Sequence, residues 1–254
     1  LAALLLSVTV LHIQGAHFFT TDSWSALFAT ATFAFALAAW KYQKWSLYAL
    51  AGLMVGLAGA SKPTVLAAVA FLALPALETV RLEGWSALWP RLSLLTDEST
   101  AREPRQRRAF PVLFASILAG LIAVWTFRIA QPYTFAGPSL LSFSLEPRWL
   151  NDIEFWQQVQ SGLFDYPPSH QWTERTPIVF QLRNLVLWGM GPALGIAALA
   201  GFGWISWRLI AARQWPTWTL LMPVGWIAFH LVYFGIALTK TMRYLLPASP
   251  LLVV

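Results

Sequence analysis

The sequence predicts an all-α, polytopic membrane protein, and three observations carry that prediction. The chain is 57% hydrophobic and only 11% charged over 254 residues. Its apolar residues fall in runs about as long as a bilayer-spanning helix, roughly 20 residues at 1.5 Å rise each. Its basic residues gather in the short links that flank alternate runs, the pattern of the positive-inside rule. The chain has no cysteine, which removes disulfides, thiolate metal sites and cysteine nucleophiles from consideration.

Taken in order, Leu1 to Val10 is apolar but too short to span. It also lacks the charged start and cleavage site of a signal peptide, so it is expected to be the tail of a helix entering from upstream. Complete spans are expected near 22–40, 45–60, 63–78, 110–130, 187–207 and 217–238, each bounded by charged or Pro/Gly-containing stretches. After Arg243 a further apolar run begins and reaches Val254 before attaining spanning length. The expectation is therefore six complete and two partial membrane helices, with residues 1–254 forming part of one transmembrane unit truncated at both ends.

With alternating sides, Lys41, Lys44, Arg81, Arg91, Arg102, Arg105, Arg107, Arg108, Arg208 and Arg213 fall on one face. The positive-inside rule makes that face cytoplasmic and makes 79–109 a cytoplasmic loop. The turn from His12 to Asp22, Lys62, the long loop 131–186 and the stretch Lys240 to Arg243 then face outward. The net charge of +6 follows from this topology, and basic residues in membrane-flanking loops give no support to nucleic-acid binding.

The outward face also collects the residues able to carry chemistry. Asp22, in HFFTTDSW with His17 five residues earlier, is either the cap of the second segment or a carboxylate beside the bilayer available to a sugar hydroxyl, a metal or a proton. Lys62 lies in GASKPT at a break between two helices. It is either a snorkelling lysine or an ammonium placed for a lipid phosphate. Arg243, beside Tyr244 in TKTMRYLLP, is the parallel case, and its guanidinium fork matches phosphate oxygens.

Within 131–186, Trp149 to Phe164 has Trp149, Ile153, Trp156, Val159 and Leu163 at near-helical spacing and is expected to be an interfacial helix. DYPPSHQWTERTP follows it and crowds Asp165, His170, Gln171, Trp172 and Arg175 beside the bilayer. Rings there could stack on sugars while Gln and Asp take hydroxyl hydrogen bonds, although most of the 15 tryptophans fit an interfacial belt. A divalent metal at His170 has little support, because no paired His spacing accompanies it. No GxSxG elbow, Walker loop or dinucleotide fingerprint occurs.

In order and topology, HFFTTDSWSALF, GLAGASKPT, YPPSHQW with a following arginine, and RYLLPASPLL together resemble the lipid-carrier-dependent glycosyltransferases of the GT-C superfamily. The nearest group is glycosyltransferase family 39, the protein O-mannosyltransferases and aminoarabinose transferases. The resemblance implies inverting transfer of a sugar from a polyprenyl-phosphate donor to an acceptor hydroxyl on the outer face of a bacterial or archaeal plasma membrane. It assigns Asp22 a supporting catalytic role and Lys62 and Arg243 to the carrier phosphate, with His170 and Arg175 near it by loop and spacing. It also places the main acidic pair in an outer loop upstream of Leu1, so the stretch alone is expected to be inactive. The sugar and the acceptor stay open.

Two other classes compete with this reading. A transporter or lipid flippase would place ionisable groups and broken helices near the midplane between repeated halves, whereas here the charges gather on one side and no repeat is visible. A noncatalytic membrane scaffold is the third.

Overall fold

The computed structural model describes residues 1–85, 111–211 and 217–253. Two short helices, α1 (Ala2–Ser7) and α2 (Val10–His17), lead into α3 (Thr21–Tyr42) and α4 (Trp45–Ser61). A 3₁₀ stretch, Pro63–Ala73, runs directly into α5 (Leu74–Glu83), and α6 (Val112–Ala130) follows. Next come α7 (Pro147–Ser161), α8 (Val179–Asn184), a π turn at Leu185–Gly189, α9 (Pro192–Ala211), α10 (Trp218–Ile236) and α11 (Ser249–Leu252). The described residues contain no β-strand, only a bridge between Phe135 and Leu145.

Five stretches are long and apolar enough to cross a bilayer: Thr21–Tyr42, Pro63–Glu83, Val112–Ala130, Pro192–Ala211 and Trp218–Ile236. The chain is thus a polytopic all-α membrane protein. The sixth expected span, α4, has 17 residues, the lower end of the range of about 17–25 that can span. It packs between α3 and α6 with Ala51, Val55 and Ala58 buried. A Cβ on Gly52 would lie 2.2 Å from the Ala119 carbonyl oxygen, so glycine is what lets these two backbones meet so closely. Outward faces stay apolar, as Ile117, Leu121 and Val124 do on α6, which suits a surface solvated by lipid.

Proline chemistry sets two boundaries. Lys62 is extended, with φ −157° and ψ 114°, because the ring of Pro63 disfavours helical geometry in the residue before it. The expected span 187–207 is displaced for the same reason. Its helix breaks after the π turn, Gly191 takes φ +81°, and α9 begins afresh at Pro192. The expected interfacial helix 149–164 forms three residues earlier at its end, where Gly162 caps α7 in the left-handed conformation at φ 78°.

Lys41, Lys44, Arg81 and Arg208 all sit at one end of the bundle, and Lys62 and Arg243 at the other. At the first end the buried carboxylate of Glu78 accepts hydrogen bonds from Arg81 Nε (2.6 Å) and from the backbone N–H of Thr219 (3.1 Å). It thereby supplies α10 with an N-terminal acceptor that its own N-cap, Thr217, does not provide. Arg91, Arg102, Arg105, Arg107, Arg108 and Arg213, with most of the 79–109 link, lie outside the described residues.

The 131–146 segment is organised by Arg128, a buried residue at the last turn of α6. Its guanidinium donates to the carbonyls of Ser139 (2.7 Å) and Ser142 (3.1 Å) and lies 4.8 Å over the Phe135 ring. Such contacts satisfy a charge that could not otherwise be buried.

Candidate functional site

The site is built where three chain breaks meet: the turn before α3, the break at Lys62, and the turn after α10. Thr20, not Asp22, is the N-cap of α3. The capping alternative for Asp22 therefore gives way to another role. Asp22 is the second residue of the helix, where the macrodipole favours its negative charge, and its Oδ1 takes an ion pair from Lys62 Nζ. Both side chains are largely buried, at 7% and 15% exposure, so Lys62 is held in place and does not snorkel.

The Lys62 ammonium also lies 4.4 Å from the centroid of the Tyr244 ring and 6.0 Å from that of Phe234. These two rings pack on each other at 4.9 Å. Burial lowers the Lys62 pKa below the ordinary lysine value of 10.5; the Asp22 carboxylate opposes this and the Arg243 charge adds to it. Arg243 itself is exposed, with its guanidinium 5.6 Å from the centroid of the same Tyr244 ring. Asp22 pairs with Lys62 alone, so the Arg243 charge beside them has no carboxylate partner in this cluster and is left for an anion.

Lys62 and Tyr244 open onto a cavity of about 610 Å³ whose other wall is α7, through Trp149, Asp152, Trp156, Gln157 and Gln160. That volume lies within the roughly 300–1,000 Å³ typical of small-molecule sites. Gln160 fastens α7 to this end of the bundle. Its Oε1 accepts from Thr239 Oγ1 at 2.5 Å, its Nε2 donates to the Tyr244 hydroxyl at 3.3 Å, and its carbonyl accepts from the Leu238 N–H at 2.8 Å.

The remaining expected residues are placed elsewhere. His17 is exposed at the end of α2, edge-on to Phe18 at 5.2 Å, and does not line the cavity. Asp165 and His170 bond to each other at 2.5 Å but stay 84% and 60% exposed. Gln171 Nε2 donates to the Pro168 carbonyl, and Arg175 lies over the Phe180 ring at 5.4 Å. Trp172 is half-buried in the same turn. None of these five lines the cavity. Their nearest described link to it is Tyr166, whose ring meets Trp156 at 5.7 Å. Among the described residues no three His, Cys, Asp or Glu gather to hold a metal, so the metal considered at His170 would find a single carboxylate partner, Asp165.

Sequence reasoning missed Asp152, Gln157, Gln160 and Phe234. The signal was present in α7: the apolar stripe chosen from spacing ignored the polar positions 152, 157 and 160, which fall on one helical face with Trp149 and Trp156.

No curated protein and no solved structure matches the chain. Residues 1–93, the stretch that contributes Asp22 and Lys62 to this site, match the model of the dolichyl-phosphate-mannose-protein mannosyltransferase family.

Proposed function

We propose that the protein transfers a sugar from a polyprenyl-phosphate donor to an acceptor hydroxyl on the extracytoplasmic face of the membrane, with inversion at the anomeric carbon. The observation that carries this reading is Lys62, fixed by Asp22 and backed by Tyr244 and Arg243 at the mouth of a cavity, within the stretch that matches the family.

In such a transfer the acceptor oxygen attacks the anomeric carbon from the side opposite the carrier. The bond from that carbon to the phosphate oxygen breaks, and its electron pair stays on the phosphate. Lys62 and Arg243 meet the charge that develops there, the kind of preorganised stabilisation that lowers a barrier most. The acceptor proton passes to a carboxylate base. Asp22 is committed to Lys62, which makes it a positioning residue for the phosphate cation.

The test is transfer from a polyprenyl-phosphate sugar in proteoliposomes carrying the full-length protein. Lys62→Ala is expected to lower the rate strongly while the variant keeps its melting profile in detergent when combined with Asp22→Asn, which removes the stranded charge. A wild-type rate in the double variant would take Lys62 out of the reaction and the reading with it.

A further inference from the structure

The cavity has two unlike walls. On one are Lys62 and Tyr244, with Arg243 behind. On the other, α7 presents Trp149, Asp152, Ile153, Trp156, Gln157 and Gln160, which fall within one broad face of the helix. A helix that merely lies on lipid would turn an apolar stripe inward. This one turns in a carboxylate and two carboxamides alongside two indoles and Ile153.

Gln160 is used up in fastening the helix, as its bonds to Thr239, Tyr244 and Leu238 show. Asp152 and Gln157 share its face and make no hydrogen bond or ion pair with the described residues. Trp149 and Trp156 stand two turns apart on either side of Asp152, and Trp156 is braced edge-on by Phe155 (5.2 Å) and Tyr166 (5.7 Å).

A carboxylate repels phosphate but accepts strongly from hydroxyl groups. Indole faces cover the C–H faces of a pyranose ring, and a site combining such faces with a few placed polar groups gives orientation and selectivity. We propose that α7 is the sugar-reading wall of the site: with the carrier phosphate on Lys62, the sugar ring lies against Trp149 and Trp156 and donates hydroxyl hydrogen bonds to Asp152 and Gln157. The assignment rests on the donor reading above and adds the residues that select the sugar.

The experiment compares binding of dolichyl phosphate and dolichyl phosphate mannose to the full-length protein in nanodiscs. Asp152→Asn and Trp156→Ala are expected to weaken the mannose-bearing lipid about tenfold and to leave the sugar-free lipid unchanged. Lys62→Ala is expected to weaken both. Equal loss of both lipids in the α7 variants, or no loss of either, overturns the sugar-reading wall and leaves the phosphate site standing. Wild-type protein that binds neither lipid overturns the donor reading, and this inference falls with it.

Discussion

Asp22 with Lys62 and Asp165 with His170 are both pairs of a carboxylate and a nitrogen group, placed at the same end of the bundle. The first pair is 7% and 15% exposed and the second 84% and 60%. In the exposed pair, water and salt screen the attraction, and each group can lose its partner at little cost. In the buried pair, removing one partner strands a charge in a medium that cannot solvate it. In sequence, polar residues crowd most densely in the exposed loop. Structure puts the energetic weight on the pair separated by 40 positions in the chain.

Substitutions at the two pairs test that contrast directly. The largest effect is expected for Lys62→Ala, which removes the phosphate cation and strands Asp22. Transfer should drop by about two orders of magnitude or more, measured as kcat/KM in proteoliposomes. Asp22→Ala should destabilise the fold by about 3 kcal/mol, read from melting in detergent, because the partly buried ammonium is left alone. Arg243→Ala, at an exposed position, should cost about tenfold in kcat/KM, with kcat lowered as well because the guanidinium meets charge that develops in the transition state. His170→Ala and Asp165→Asn should change transfer less than about fivefold. A large loss from either would move the functional weight back to the loop and undo the comparison.

The same contrast has a pH signature. Because the Lys62 pKa lies below 10.5, its ammonium loses its proton earlier than an ordinary lysine as pH rises. Donor affinity is therefore expected to decline through that lowered value. Lys62→Arg, whose guanidinium stays charged, should carry the affinity to higher pH. An unchanged alkaline limb in Lys62→Arg would show that another group sets it.

At the opposite end of the bundle, Glu78 was invisible as a structural residue. It stands in sequence as the last residue of the expected span 63–78, yet it is fully buried and bonded to Thr219 of α10, 141 positions away. Arg128 was equally silent, since a guanidinium near a helix end fits simple anchoring until its two carbonyl partners are seen. Lys62 was the better case. Glycine and proline around it marked a break, and a break at a membrane surface is where a charge can be both held and used.

The class was legible in the sequence alone: helices of spanning length, cations segregated between the ends, and a break at Lys62. These follow from hydrophobicity, charge and proline sterics, all local in the chain. Which polar groups work together was set by packing. It tied Asp22 to Lys62, laid Tyr244 and Phe234 beside that lysine, and turned the polar face of α7 toward it through Gln160. Ion pairs and hydrogen bonds of this kind depend on distances between segments far apart in sequence, and helical periodicity fixes which face a residue shares but not what that face will meet.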